Sequence, residues 1–156
     1  MNEELVRFRD LNDSTLQAEV DIKVSPERVY KAWTMQDHFV KWFGPRANGV
    51  LEVSQFDCRE GGEYDLTMVF SDGDRVQLFG QFKELDPSRK IVFTWQWKDS
   101  PTETSGPTLV TVDLVPTEIG TRLTLTHERF VSIKSRNEHQ NGWGPILAKL
   151  ATILVE

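Results

Sequence analysis

Apolar and polar residues alternate along the chain from residue 14 to residue 24. The apolar positions are Leu16, Ala18, Val20, Ile22 and Val24. A period of two is typical of a β-strand that buries one of its faces. We therefore predict a first strand in this stretch, and we expect residues 1–13 before it to form a loosely ordered N-terminal segment.

Two short helices are predicted directly after this strand. Ser25 and Pro26 indicate a helix start, because a serine hydroxyl accepts a hydrogen bond from an unpaired backbone N–H and proline is preset to the helical φ. Thr34, followed by Asp37, indicates a second start, and Gly44 ends the second helix. The apolar residues that the two helices present to the interior are Val29, Trp33, Phe39, Trp42 and Phe43.

The period of two returns and continues from residue 47 to residue 130. Turn sequences divide this stretch into strands near 47–57, 62–70, 75–85, 89–98, 108–115 and 121–130. Short turns between strands favour antiparallel pairing, so we predict a meander. Its predicted inward positions are Tyr64, Leu66, Met68 and Phe70; Val76, Leu78, Gly80 and Phe82; Ile91, Phe93, Trp95 and Trp97; and Leu123, Leu125 and His127.

After Phe130 the apolar spacing changes to three and four residues, which predicts an amphipathic C-terminal helix. Its apolar stripe consists of Trp143, Ile146, Leu147, Leu150, Ile153 and Leu154. Gly142, Gly144 and Pro145 interrupt the preceding stretch, and a proline removes a backbone donor and clashes with the turn before it. We therefore predict a break or kink there, with the reliable helix beginning near Pro145.

The predicted order of elements favours one α+β domain over residues 1–156, a length typical of a single domain. One long helix must cover one face of a strongly curved antiparallel sheet. We predict that the sheet wraps around the C-terminal helix, with the two short helices between the first and second strands. The inward positions would then line the space between sheet and long helix.

Five stretches of the sequence carry a resemblance to a known family. They are residues 25–34 (SPERVYKAWT), 39–45 (FVKWFGP), 56–64 (FDCREGGEY), 125–130 (LTHERF) and 139–143 (HQNGW). In this order they resemble the single-domain relatives of the activator of the heat-shock-protein-ninety ATPase. That family is part of the START-like (SRPBCC, birch-pollen-allergen-like) helix-grip superfamily, so the resemblance implies a helix-grip fold.

The same resemblance implies a range of functions and supplies no catalytic residue. It favours binding of a small apolar molecule in a hydrophobic cavity, or a role in the stress response. One alternative is a module that associates with the heat-shock-protein-ninety chaperone. Another is an enzyme of the polyketide cyclase or hydrolase type that uses the cavity, and we favour a non-enzymatic role over it.

Composition narrows the range of partners. The chain has 18 basic and 24 acidic residues, a formal net charge of −6, and basic residues that are scattered along it. Nucleic acid requires a concentrated positive surface, so we exclude it as a partner. No apolar run suits a membrane span, no apolar signal segment opens the chain, and the single cysteine cannot form an internal disulfide. We expect a cytoplasmic monomer or homodimer.

Aromatic side chains are the candidate ligand-binding groups, because the chain has five Trp and nine Phe. Such side chains either fill a core or line a pocket, and both interpretations stay open here. The residues that we predict to line a ligand site are Trp33, Phe43, Tyr64, Leu66, Met68, Trp95, Trp97, His127, Trp143 and Leu147.

His127 is the candidate for acid–base chemistry, since it shares an inward face with leucines. It could orient a polar group of a ligand or act as a general base. We favour a structural role, in which it hydrogen-bonds a neighbour, because no nucleophile or acid accompanies it at a diagnostic spacing. Position 131 is Val, so the zinc-protease pattern H-E-x-x-H is absent. We predict no catalytic residue, no metal site and no cofactor.

Overall fold

The computed structural model describes residues 5–44, 49–98 and 106–155. Its elements are β1 (Val6–Asn12), β2 (Thr15–Ile22), α1 (Pro26–Thr34), α2 (Gln36–Phe39), β3 (Val50–Phe56), β4 (Glu63–Val69), β5 (Arg75–Asp86), β6 (Lys90–Trp97), β7 (Thr108–Pro116), β8 (Thr121–Glu128) and α3 (Ile133–Leu154). The strands form one antiparallel sheet in the order β1-β2-β8-β7-β6-β5-β4-β3. The predicted helix-grip architecture is confirmed.

The buried face of the sheet follows the predicted period of two. In β2, alternate residues from Leu16 to Ile22 are buried, and Ala18 and Val20 pair with Leu125 and Leu123 of β8. The prediction is wrong at Phe70, which follows the end of β4 and is 36% exposed. The strand predicted near residues 47–57 begins at Val50, and residues 47 and 48 lie outside the described residues.

Most of the N-terminal segment forms a strand, so the expectation of loose order is wrong for residues 6–12. Strand β1 pairs antiparallel with β2, from Val6 opposite Val20 to Asn12 opposite Thr15. Only Val6 is buried in β1, because an edge strand has one neighbour and covers little of the core. Such a strand leaves no strong apolar pattern in the sequence. Residues 1–4 lie outside the described residues.

Helix α3 begins at Ile133, well before the predicted start near Pro145, and the predicted break is wrong. Ser132 caps the helix, since its hydroxyl accepts a hydrogen bond from the Ser135 N–H at 3.1 Å. Pro145 lies inside the helix and deprives it of one backbone hydrogen bond. Burial of side chains such as Leu147 outweighs this loss, because burying a leucine contributes about 1.5–3 kcal/mol.

A buried arginine joins α3 to β1. Nη1 of Arg136 donates to Oδ1 of Asp10 at 2.7 Å and to the Asn12 carbonyl at 2.6 Å. Further along the same helix, a methyl group on Gly144 would lie 3.6 Å from the Phe8 ring, so helix and strand pack closely. These contacts hold α3 against the β1–β2 end of the sheet.

Gly142 tests whether α3 is continuous through the Gly-Trp-Gly-Pro stretch. It is exposed, and an added methyl group would meet nothing within 4 Å. We expect Gly142→Ala to raise the free energy of unfolding by about 0.5–1 kcal/mol, because alanine is the better helix former. Urea unfolding measures the change. Gly73→Ala is the matched control, since its methyl group is equally unobstructed but its φ of +95° should make the variant less stable. No gain at residue 142 would contradict a helix there.

Candidate functional site

A small aromatic cavity lies between the α1–α2 side of the molecule and strands β3–β6. Its volume is about 20 Å³. The residues that line it are Trp33, Phe39, Phe43, Phe56, Tyr64, Leu66, Leu78, Phe82, Ile91, Phe93 and Trp95. We call this space the aromatic cavity. Three of its lining residues form a helical wall between residues 33 and 43, and the others form a sheet wall.

The aromatic cavity does not lie under the long helix, where the sequence analysis placed the open space. Helix α3 supplies none of the lining residues. Its Trp143 packs instead against the outside of the lining, with its ring centroid 5.1 Å from that of Trp95 and 6.2 Å from those of Trp33 and Phe43. Helix α3 therefore contributes buried side chains, Trp143 and Leu147 among them, to the core, and the aromatic cavity lies beside the two short helices.

The structure divides the ten predicted ligand-site residues into two groups. Five line the aromatic cavity, namely Trp33, Phe43, Tyr64, Leu66 and Trp95. The other five, Met68, Trp97, His127, Trp143 and Leu147, are not among its lining residues. Ligand pockets commonly have volumes of roughly 300–1,000 Å³, so the aromatic cavity has to widen before it admits an organic molecule.

Six lining residues were not predicted as ligand-site residues, namely Phe39, Phe56, Leu78, Phe82, Ile91 and Phe93. The last four were predicted to face inward from the sheet, but Phe56 was not. Phe56 was missed because β3 contains a bulge. Val53 pairs with Leu66, but Gln55 pairs with the next residue, Asp65. The inward position therefore shifts from odd to even numbers, and strict alternation from Val53 would have turned Phe56 outward. Phe39 had a usable signal, since it lies in the predicted second helix next to Phe43.

Two indole N–H groups in the cavity wall have no hydrogen-bond partner within the described part of the chain. They belong to Trp33 and Trp95, whose exposed fractions are only 2% and 5%. The other three indole N–H groups all donate, from Trp42 to the Ala32 carbonyl (2.9 Å), from Trp97 to His139 Nε2 (2.8 Å) and from Trp143 to His127 Nδ1 (3.1 Å). The unpartnered donors are thus confined to the two tryptophans of the cavity.

The remaining polar side chain in the lining is already engaged. Tyr64 donates its hydroxyl to the Thr94 carbonyl at 2.5 Å. Burial raises the pKa of Tyr64 well above its ordinary value, so the phenol stays neutral. No lining residue carries a charge. The lining of the aromatic cavity is therefore neutral, and two of its tryptophans have buried indole N–H groups without a partner.

His127 has both ring nitrogens occupied in a fully buried network. Its Nδ1 accepts the Trp143 indole N–H, so the proton resides on Nε2, which donates to Thr108 Oγ1 at 2.7 Å. The Thr108 hydroxyl in turn donates to the Trp95 carbonyl at 2.9 Å. Burial, with a smaller effect of nearby His139, lowers the pKa of His127 well below its ordinary value. This geometry fits a structural histidine that is linked to the backbone of Trp95 through the Thr108 hydroxyl.

The described residues offer no alternative metal or thiol chemistry. None of the His, Cys, Asp and Glu side chains among them gather in threes where they could hold a metal ion. Burial and the neighbouring Asp57 raise the pKa of the Cys58 thiol to about 11, which keeps it protonated and unreactive. None of the helices described is long and apolar enough to cross a membrane.

Solved structures similar to this chain come from several bacteria. A protein of Rhizobium loti is 30% identical with a TM-score of 0.74, and the match covers 94% of this chain and 97% of that one. A protein of Chromobacterium violaceum is 27% identical with a TM-score of 0.81, covering 90% and 97%. The AHSA1 protein of Silicibacter pomeroyi is 26% identical with a TM-score of 0.79, covering 91% and 98%.

The comparisons also confirm the family to which the sequence motifs point. A search of curated proteins gave no match. The model of the family described as activator of Hsp90 ATPase homolog 1-like protein matches residues 23–155, which is most of the chain. The chain therefore belongs to the activator of Hsp90 ATPase homolog 1-like family.

Proposed function

We propose that this protein binds a small apolar molecule in the aromatic cavity. The observation that supports the proposal is the pair of buried, unpartnered indole N–H groups of Trp33 and Trp95 within an aromatic lining. More than nine in ten buried polar groups in proteins have a hydrogen-bond partner, so such a pair calls for an occupant. A single water molecule is the competing occupant, because about 20 Å³ is enough for one.

Binding requires the helical wall to move outward. Trp33, Phe39 and Phe43 all belong to one short stretch of chain, and α2 within it is a single turn. The residue that precedes α2, Met35, makes no side-chain cap. The sheet wall, in contrast, is fixed by ladders of backbone hydrogen bonds on both sides of β4, β5 and β6. A ligand therefore widens the cavity by displacing α2 and Phe43.

Native mass spectrometry before and after denaturation tests the proposal directly. We expect the purified protein to carry an additional small mass that denaturation releases, and to bind the apolar fluorophore N-phenyl-1-naphthylamine saturably. Leu78→Phe is the blocking variant, because Leu78 is fully buried in the cavity lining and a phenyl ring would fill the space. It should bind the fluorophore at least about tenfold more weakly, a loss of roughly 1.4 kcal/mol.

Circular dichroism verifies that the Leu78→Phe variant keeps the fold. A bare protein mass together with no saturable binding of the fluorophore to wild type would overturn the proposal. Equal binding by wild type and Leu78→Phe would place the fluorophore outside the aromatic cavity and would also contradict it.

Chaperone association is a second candidate, favoured by the description of the family whose model matches residues 23–155. Such a role would use the outer surface and not the aromatic cavity. A pull-down with the heat-shock-protein-ninety chaperone separates the two, because the Leu78→Phe variant should lose ligand binding and keep chaperone binding. A stress-response role is compatible with either candidate. The single cysteine cannot form an internal disulfide, which is compatible with the cytoplasmic location that we propose for this monomer or homodimer.

A further inference from the structure

We infer that the molecule bound in the aromatic cavity is a neutral, planar compound with a hydrogen-bond acceptor such as a carbonyl oxygen, which the indoles of Trp33 and Trp95 bind. The inference rests on the proposed function, since it assigns a chemical class to the ligand of the same site. It follows from the donors, the charge and the shape of the lining.

The two donors belong to opposite walls of the aromatic cavity. Trp33 lies on α1 in the helical wall, and Trp95 lies on β6 in the sheet wall. An indole can only donate a hydrogen bond, so neither group can be satisfied by the other. Each ring packs against a further tryptophan ring. The centroid distance is 4.7 Å between Trp33 and Trp42 and 5.1 Å between Trp95 and Trp143.

The lining offers almost no acceptor to a ligand. Tyr64 carries the only side-chain oxygen among the lining residues, and its hydroxyl proton is already donated to the Thr94 carbonyl. A proton donated by a ligand O–H or N–H would therefore have only the phenol oxygen among the lining side chains, whereas an acceptor oxygen of the ligand would have two unpartnered indole donors. The cavity is thus selective for compounds that accept hydrogen bonds over compounds that donate them.

The absence of charge in the lining excludes an ionised ligand. A carboxylate inside the cavity would lose its hydration and gain no cation among the lining residues. The chain also carries a formal net charge of −6, which repels anions at longer range. Both effects favour a neutral acceptor, such as a ketone, over a carboxylate with the same oxygen atoms.

The aromatic lining favours a flat ring next to this acceptor. Phe39 and Phe43 stack with centroids 4.7 Å apart, while Phe43 and Trp95 meet edge to face at 6.1 Å. A planar ring inserted here can make the same offset or edge contacts with its neighbours. The ligand class is therefore an aromatic or conjugated carbonyl compound.

A pair of isosteric probes tests this inference on the wild-type protein. Acetophenone and α-methylstyrene have the same shape, but only the ketone has an acceptor oxygen. We expect acetophenone to bind about tenfold more tightly, the range of one net hydrogen bond to a neutral partner. Sodium benzoate should show no saturable binding.

Indole N–H signals in a ¹H–¹⁵N correlation spectrum report which donor is used. The five tryptophans give five such signals, and Trp33→Phe and Trp95→Phe each identify one by its disappearance. We expect acetophenone to move the Trp33 and Trp95 signals downfield, while α-methylstyrene does not. Trp42 is the internal control, because its N–H already donates to the Ala32 carbonyl.

The outcomes separate the inference from the proposed function. If ketone and alkene bind equally well, and the ketone moves neither signal downfield, the acceptor inference is overturned while the binding function stands. If benzoate binds as well as acetophenone, the preference for a neutral ligand is wrong. If none of the probes or the naphthylamine fluorophore binds, the proposed function itself fails.

Discussion

Gly80→Ala is expected to lower the free energy of unfolding by about 3 kcal/mol or more. A methyl group at residue 80 would lie 2.1 Å from the Thr94 carbonyl oxygen and 2.7 Å from Cε2 of Tyr64. The oxygen is part of the backbone of β6, so the clash cannot be relieved by rotating a side chain. Strands β5 and β6 would have to separate at the point where both contribute to the cavity wall.

The close approach of Gly80 to the Thr94 carbonyl accompanies two unusual hydrogen bonds of Thr94. A side-chain oxygen here takes the place of a backbone carbonyl as hydrogen-bond acceptor, because Thr94 Oγ1 accepts the Gln81 N–H at 2.8 Å. Its carbonyl oxygen is then free to accept the Tyr64 hydroxyl, directly over the bare Cα of Gly80. Replacing Gly80 therefore disturbs both the sheet and the position of Tyr64.

Urea unfolding measures the effect of Gly80→Ala, with Gly142→Ala as the control for the same chemical change in open space. A loss of less than about 1 kcal/mol, the middle of the range for ordinary substitutions, would contradict the close approach of β5 and β6. If the variant does not accumulate in folded form, the milder change Thr94→Val tests the adjacent hydrogen bond between the same two strands. It removes the hydroxyl that accepts the Gln81 N–H and should cost about 1–2 kcal/mol.

His127→Leu is expected to lower the free energy of unfolding by about 2–3 kcal/mol at pH ~8. Leucine resembles histidine in size but cannot accept the Trp143 N–H, which would be left buried without a partner. Thr108 would keep its bond to the Trp95 carbonyl and lose only the imidazole donor. The loss of stability therefore comes mainly from the Trp143 indole N–H, which would be buried without a hydrogen-bond partner.

The same residue predicts a dependence of stability on pH. Burial lowers the pKa of His127 in the folded state, while in the unfolded chain it stays near its ordinary value of about 6.5. Below that value the unfolded state binds a proton that the folded state does not. Wild-type stability should thus be full above about pH 7.5 and should fall with decreasing pH by up to about 1.4 kcal/mol per pH unit.

Comparison of variants isolates this contribution. The stability difference between wild type and His127→Leu should shrink as the pH is lowered from ~8 to ~5.5, because the variant lacks the titrating imidazole. His38→Gln serves as the control histidine substitution, since no hydrogen bond of the His127 network involves His38. A difference that stays constant across this pH range would contradict a buried, neutral His127.

Alternation and turn chemistry were sufficient to predict the sheet and its buried face. Strand β2 shows why, because every second side chain from Leu16 to Ile22 is buried and no neighbouring element has to be known. Strand β1 could not be predicted in this way, since an edge strand buries little and only Val6 reaches the core. The start of α3 was predicted wrongly for another reason. Pro145 disfavours a helix locally, but packing against distant parts of the chain stabilises α3 through this position.

The position of the aromatic cavity could not be read from periodicity. Alternation tells which side chains of a strand face inward, and Tyr64, Leu66 and Trp95 were identified in this way. It does not tell which helix covers them. The long helix was therefore predicted to cover the cavity, whereas the α1–α2 stretch covers it in the structure. The unpartnered donors of Trp33 and Trp95 depend on the positions of all neighbouring atoms and have no sequence signature.

The division of the aromatic cavity into two walls also bears on how such a protein can diverge. Its helical wall is contributed by one short stretch, residues 33–43, whereas the sheet wall belongs to strands that carry the core. Substitutions at Phe39 can therefore change the shape of the aromatic cavity while α3 and the strand ladders are left intact. On the proposed function, the ligand preference of such a protein can change through substitutions in one peptide segment, because the strands that carry the core are left unchanged.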